Sequence, residues 1–562
     1  MTSSKLRHIL IFIILSGIQT WAHAQEAGTS GYPEQVTAVT DRTLYVAGET
    51  MHYAALLTVT DSSETAKASR IGYCELIKPD GVKITGRKFL FSQNSGTGSV
   101  EIPPETITGI YYLRFYTRYM RNNGPGTYFY IRLKIINPYK SEILPESPDN
   151  QQSISDGKQA SPEGVLNSVL LTTGKRIVEQ GETLQITIKP EELLTSPGRL
   201  TLSVIPEPCL TDQTFRITEI SDTVAGPYFC PEERGISLSG KLIALETRAP
   251  LKNTKVNLSI IGDKDFQVTH SDSAGRFAFS LPDYQGSRDV FICSDDLAGI
   301  SPEILIGNDF CTLPFSIVSP PFSLDDKERA AALNLAMNLR ISDVFNEVPA
   351  TSETQPASVN SFYGKPVEIL SMDKYIELPT LEDYFTELPV IVKVRKSQGK
   401  KFFRFLDAGP EMEIYDPLVL VDWVAINDMK KILAMSPNEL DRIELVNLRY
   451  RKGDVTYGGI ISFISKKNDF AGIDLPHSGT FINYRFLDEY LPGNPGQPPS
   501  PGNPDTRNTI YWGDLQTPET AAGIAVSITA PETPGRYLIL LRQITSSGKI
   551  LSATATFDVA SH

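Results

Sequence analysis

Beyond residue 32 the chain alternates apolar and polar positions at a period of two, in short runs broken by turn residues. TLYVAGETMHYAALLTVT (43–60), RIGYCELIKPDGVKI (70–84), GIYYLRFYTRYM (109–120) and TYFYIRLKII (127–136) are spaced by KPDG, NSGTG and NNGPG. Such alternation puts every second side chain on one face, so residues 32–144 predict five to seven short strands in an antiparallel sandwich. Residues 145–164, PESPDNQQSISDGKQASPEG, hold almost no large apolar side chain and predict a solvated linker. In residues 165–234, GKRIVEQGETLQITIKPEE echoes DRTLYVAGETMHYAALL, but the segment is short and must borrow strands from elsewhere. A further sandwich is expected over 235–320.

A helical period first appears in SLDDKERAAALNLAMNLRISDVF, which predicts a helix over 323–346. Ser323 is its candidate N-cap, with Asp326 three residues on, and Leu335 and Leu339 form the apolar stripe. Residues 347–365 predict a linker, and 366–470 turn mixed. There YDPLVLVD is a strand, Asn427 or Asp428 caps the short helix MKKIL, Ser436 and Glu439 form a capping box for a helix ELDRI, and GGIISFISKK is a last strand. Residues 471–508 predict a Pro/Gly-rich strap and 509–562 one more β unit. The fold class is mainly β, with several antiparallel sandwiches and one α+β domain.

Three resemblances follow from particular residues. DRTLYVAGET (41–50) resembles the opening of macroglobulin-type β-sandwich domains, and the G-E-T at 181–183 and Tyr511, Trp512, Gly523 and Tyr537 extend this to 165–234 and 509–562. Residues 235–282 resemble the carboxypeptidase-regulatory-like sandwich in SGKLI, the step from Pro250 to Leu258 and the hairpin residues Asp272, Gly275 and Phe277. That resemblance implies Gly275 at positive φ, Phe277 in the core and no chemistry. Residues 366–470 resemble the plug domain of TonB-dependent outer-membrane receptors in Asp422, Ser436, Pro437, Arg442, Ile443, Glu444, Tyr457, Gly458, Gly459 and Lys466. Trp423 stands where that family has a turn Gly, and LRYRKGDVT (448–456) replaces its Gly-Pro-rich loop. A receptor barrel takes roughly 22 strands of about 10 residues. Only 92 residues follow Phe470, so this plug-like domain would meet a barrel only in a partner.

Residues 1–24 have the form of a signal peptide: Lys5, Arg7 and His8, an apolar core from Ile9 to Ile18, and Ala22-His23-Ala24 before Gln25. The mature protein is thus expected in the periplasm or at the outer membrane of a Gram-negative cell. No later run approaches the roughly 20 apolar residues of a membrane helix. The 39 Pro, 40 Gly and 23 Tyr among 562 residues suit turn-rich β structure. A net charge of −13, more negative still without the leader, excludes binding along a nucleic-acid backbone. Five cysteines leave at least one thiol unpaired or paired with another chain; the candidate disulfide residues are Cys209 with Cys230 and Cys293 with Cys311.

Catalytic signatures are thin. Outside the leader and the last residue only His52, His270 and His477 remain, in three different modules. No H-E-x-x-H, G-x-S-x-G, P-loop or C-x-x-C occurs. Asp325-Asp326 and Glu232-Glu233 fit a helix start and a solvated turn. A macroglobulin-type protease trap carries a Cys-Gly-Glu-Gln thioester, whereas Cys74 is followed by Glu75-Leu76-Ile77. The aromatics of YYLRFYTRY (111–119) suit strand packing better than a binding strip. The expectation is a non-enzymatic protein without cofactor or metal, docking on an outer-membrane β-barrel protein or envelope complex. Its contact residues would be Trp423, Asn427, Asp428, Arg449, Arg451 and Lys452. The alternative is a cell-surface or periplasmic binder of a glycan, peptide or protease with no barrel partner.

Overall fold

The computed structural model describes residues 34–59, 68–145, 153–155, 163–166, 169–190, 198–210, 214–216, 228–345 except 296 and 298, 361–488 except 376, 389, 407–408 and 410–411, 498, 502–515 and 523–561. The expected leader, and most of the linkers at 145–164 and 347–365, lie outside the described residues.

The first sandwich holds β1 (Glu34–Thr40), β2 (Leu44–Val46), β3 (Thr50–Val59), β4 (Ile71–Ile77), β5 (Lys83–Leu90), β6 (Ser95–Glu101), β7 (Gly109–Thr117) and β8 (Phe129–Ile136). β1, β3 and β6 form one antiparallel sheet; β8, β7, β4 and β5 form the other, with β2 parallel to β8. β7 is buried at all nine positions. On its inner face Phe115 meets Tyr53 at 5.1 Å between ring centroids. On its outer face Arg114 Nη2 donates to the carbonyl of Cys311 at 3.0 Å, and the Cys311 amide donates to Tyr116 Oη at 2.9 Å. A later segment therefore roofs the sheet, and Tyr111, Tyr112, Phe115, Tyr116 and Tyr119 are all packing residues.

The second sandwich begins with β9 (Val169–Thr173), β10 (Thr183–Pro190) and β11 (Gly198–Pro206) and stops incomplete. A third, small sandwich follows: β12 (Ile236–Ala244), β13 (Lys255–Ile260), β14 (Asp265–His270), β15 (Arg276–Leu281), β16 (Ser287–Ser294) and β17 (Pro302–Ile306). Its sheets run β15-β12-β17 and β14-β13-β16. Gly275 has φ +74°, and a Cβ there would lie 2.4 Å from the Leu242 carbonyl, so only glycine fits this turn. Phe277 is buried, as the resemblance implied.

Helix α1 spans Asp326–Phe345. Its cap is Asp325 and not Ser323, because Asp325 accepts from the Glu328 amide while Glu328 accepts from the Asp325 amide. Ala331, Leu335 and Ala336 pack on Leu44, Val46 and Cys209.

The mixed unit contains β18 (Glu368–Ser371), α2 (Leu381–Glu387), β19 (Val392–Ser397), β20 (Lys400–Phe405), β21 (Leu418–Val421), β22 (Val424–Ala425), α3 (Met429–Leu433), β23 (Leu440–Val446), β24 (Tyr450–Lys452), β25 (Val455–Tyr457) and β26 (Ile460–Ser465). Its main sheet is ordered β18-β23-β26-β21-β22, with β19–β20 and β24–β25 as separate hairpins. Asp428 caps α3 by accepting from the Lys430 and Lys431 amides. The expected helix ELDRI is instead one 3-10 turn, Pro437–Glu439, running straight into β23, and the Ser436 side chain makes no cap bond. Ile443 and Leu445 need strand geometry to reach this unit's core, which overrides the local helix signal.

The chain then retraces its steps. β27 (Thr480–Arg485) pairs with β16, so the expected strap at 471–508 supplies a strand of the small sandwich. β28 (Tyr511–Leu515), β29 (Ile524–Thr529), β30 (Gly535–Thr545) and β31 (Ile550–Val559) complete the second sandwich. β11 lies between β30 and β28, and β10 between β9 and β29. Residues 509–562 are therefore not a unit of their own; they are the strands that 165–234 lacked. The mixed unit is inserted in the small sandwich, and the small sandwich in the second.

The motif DRTLYVAGET ties this arrangement together. Arg42 is fully enclosed and grips Glu49 through both terminal nitrogens, at 2.7 and 3.1 Å. Its Nε donates to Thr509 Oγ1 at 3.1 Å, and Thr509 in turn donates to Asp41 at 2.5 Å. Arg542 of β30 donates to the Thr40 carbonyl. Arg42→Met strands two buried carboxylates, so stability is expected to fall by about 3–5 kcal/mol. Urea unfolding followed by tryptophan fluorescence checks this, since Trp512 is buried where the first and second sandwiches meet.

Candidate functional site

The outward positions of the β15-β12-β17 sheet form the floor of a cleft of about 990 Å³. Alternation in β15, RFAFSL, sends Phe277, Phe279 and Leu281 inward and leaves Arg276 and Ala278 exposed. Ser237, Ser239 and Lys241 of β12 and Leu305 of β17 continue the floor, and His270 and Asp272 also line the cleft. Its remaining wall is Arg118 with Tyr228, Phe229 and Cys230. Asn122 holds that wall by exchanging two hydrogen bonds of 2.8 Å with the Phe229 backbone. The guanidinium carbons of Arg121 and Arg118 sit 4.3 and 5.3 Å from the Phe229 ring centre.

Behind the cleft a buried polar cluster joins the sandwiches. Arg118 donates to the Ser237 carbonyl at 2.5 Å and to Ser239 Oγ at 2.6 Å. Glu232 accepts from Tyr73 Oη at 2.9 Å and from the Ser237 amide at 2.6 Å. Glu232 is thus no solvated turn residue: it is buried, and burial pushes its carboxyl up to about 7 against the pull of Arg118. Lys88, whose ammonium burial pushes down, pairs with Asp309 at 2.5 Å and donates to the Arg485 carbonyl at 2.6 Å. The returning strand β27 is thereby anchored to the first sandwich.

The cleft offers recognition chemistry. Among the described residues its one imidazole, His270, pairs with Asp454 at 2.7 Å, and Cys230 makes no hydrogen bond with it. Among the described residues no three His, Cys, Asp or Glu side chains converge at metal-binding range. All five cysteines are free, so neither expected disulfide is formed: Cys74 and Cys311 are buried in one core, Cys209 and Cys293 each in another, and Cys230 is exposed.

The expected contact residues do not share one surface. Trp423 is 6% exposed and stacks on Tyr363 at 5.8 Å, and its carbonyl accepts from Ser259 at 2.9 Å. It is a joint to the small sandwich and not an outward contact. Its φ of +73° shows why glycine suits this turn; Asp422 holds the loop by accepting from the Ser465 and Phe470 amides, both at 2.8 Å. Lys452 also faces inward, 3.4 Å from Asp265. Asn427 donates to Asp295 at 2.6 Å, and Asp428 is spent on its helix cap. Arg449 and Arg451 are exposed. The cleft residues Arg118, Tyr228, Phe229, Lys241 and Arg276 escaped sequence inspection, because the walls come from three separate stretches. Only the exposed Arg276 in the RFAFSL alternation hinted at them.

No protein-family model matches the chain. No curated protein matches it either. Among solved structures, a trypsin-activated alpha-2-macroglobulin from Escherichia coli is 11% identical, with 95% of this chain and 42% of that one covered and a TM-score of 0.23. A Salmonella alpha-2-macroglobulin reacted with methylamine is 10% identical, with coverages of 94% and 40% and a TM-score of 0.23. Dimeric latent PorU from Porphyromonas gingivalis is 9% identical, with coverages of 51% and 34% and a TM-score of 0.15. The chain spans about two fifths of the length of these macroglobulins.

The native protein is expected to take up one equivalent of a maleimide, at Cys230, and five after denaturation, as counted by mass spectrometry. Glu232 holds its proton up to about pH 7 when folded, and its ordinary value is 4.5, so folding binds a proton between these pH values. Stability then falls as pH rises from about 4.5 to about 7, by about 3 kcal/mol from this group. Glu232→Gln is expected to remove that part of the slope in urea unfolding series.

Proposed function

We propose that this is an exported, non-enzymatic binding protein of a Gram-negative envelope that holds a polypeptide segment in the cleft between the first and small sandwiches. The observation that carries this is the cleft: about 990 Å³, with apolar side chains from Tyr228, Leu305 and Ile306 and exposed cations at Lys241 and Arg276. Pockets of this size and mixture suit a few residues of an extended peptide with one large apolar and one acidic side chain. Ala278 is exposed on the floor, so Ala278→Trp fills the cleft without touching the core. Peptides from a synthetic library are expected to shield Cys230 from maleimide, and Ala278→Trp to weaken that protection by about tenfold or more. If no peptide shields Cys230, the proposal falls.

A second function keeps the plug resemblance: docking of the mixed unit on an outer-membrane β-barrel partner. The exposure of Arg449 and Arg451 favours it. Recovery of a β-barrel with the tagged protein from solubilised envelopes tests it, and purification without one rules it out.

A further inference from the structure

The hairpin β19–β20, VKVRKSQGKKFFRF, concentrates positive charge in a chain whose net charge is −13. It carries Lys393, Arg395, Lys396, Lys400, Lys401 and Arg404 and no acidic residue. It is a two-stranded sheet on its own, turned at Gln398 and Gly399 with φ of +49° and +79°. Val392, Phe403 and Phe405 anchor its base in the core of the mixed unit. The far end is exposed from Arg395 to Lys401.

The register sets like charges against each other, Lys393 opposite Arg404 and Lys396 opposite Lys401. Such pairs are destabilising unless counter-charge arrives. Some is internal: Lys401 lies 2.5 Å from Glu382, Arg404 lies 2.7 Å from Glu413, and Lys393 donates to the Thr386 and Leu388 carbonyls. Arg395, Lys396 and Lys400 have no acidic partner among the described residues. The face formed by Arg395, Lys400 and Arg404 includes Phe402, which is half-buried directly opposite Arg395. Arg404 also donates to the Glu413 carbonyl at 3.1 Å, which sets the next loop beside the hairpin. That loop presents Ile414, 77% exposed, and Tyr415.

We infer that the β19–β20 hairpin and Ile414 dock this protein on an anionic lipid surface. Unpaired cations around a half-buried aromatic ring, next to an outward aliphatic side chain, match phosphate headgroups above an acyl boundary. Elsewhere the negative chain is repelled from such a surface, so contact is confined to this tip and fixes the molecule's orientation. This surface is separate from the cleft, and neither depends on the other.

The test is flotation of the full mature chain with phosphatidylcholine vesicles, with and without phosphatidylglycerol. Binding is expected only to the anionic vesicles and is expected to be lost between about 0.1 M and about 0.5 M salt. Arg395→Glu, Lys396→Glu and Lys400→Glu together are expected to weaken it on the order of a hundredfold. Ile414→Ser is expected to weaken it several-fold while leaving the salt dependence in place. All four side chains are exposed, and single-thiol labelling at Cys230 reports that each variant is folded. Equal binding to neutral vesicles, unchanged binding by the triple variant, or retention on soluble polyglutamate without vesicle binding would each overturn the inference.

Discussion

Everything in this molecule is arranged around a guanidinium group that water does not reach. Arg42 sits between Asp41 and Glu49 with its side chain 2% exposed. Taking such ions out of water costs several kcal/mol each, and the cost is offset only when every lone pair and proton finds a partner. Glu49 comes from the same motif, but the other partners are distant in the chain: Thr509 from the approach to β28, and Asn508, which donates to both Glu49 and the Leu335 carbonyl of α1. A structure lacking residues 508–509 leaves hydrogen bonds of these buried ions unmade. The first sandwich, the second sandwich and α1 therefore meet at one buried polar cluster, while the cleft lies elsewhere, between the first and small sandwiches.

Sequence alternation reveals strands well wherever one face stays wet, as in β15 with its exposed Arg276 and Ala278. It says less about β7, because the segment around Cys311 covers the face that would otherwise be solvated. Local signals also lost to tertiary ones at β23, where packing of Ile443 and Leu445 outweighed the helix-forming ELDRI. The nesting left one local trace, a segment at 165–234 too short to close a sandwich, but the pairing of Val204 with Tyr511 is invisible to any short window of sequence. The cleft was hidden for the same reason. Arg118, Cys230 and Lys241 become neighbours only after two sandwiches have docked.

The apolar clusters run across the joints between units, and polar bonds reinforce them there. Trp423 with Ser259, Lys452 with Asp265 and His270 with Asp454 fasten the mixed unit to the small sandwich. Arg118, Glu232, Lys88 and Asp309 fasten the small sandwich to the first. Hydrogen-bonded charges fix orientation in a way that greasy surfaces do not, so the cleft wall and floor hold their spacing. Such a preformed cleft spends little of a ligand's binding energy on closing around it.

The nested topology also dictates a timetable. When Pro206 leaves the ribosome, β11 has neither of its sheet neighbours, because β28 starts at Tyr511 and β30 at Gly535. At synthesis rates of about 5–20 residues per second, the roughly 300 intervening residues take about 15–60 s. Throughout that interval an apolar strand waits with both edges bare, the situation in which chains pair with strangers. The first sandwich closes early, the mixed unit and small sandwich close next, and the second sandwich closes last of all. Strands β28 to β31 thus serve as the clasp of the second sandwich, and a ribosome that stops short of them releases an open one.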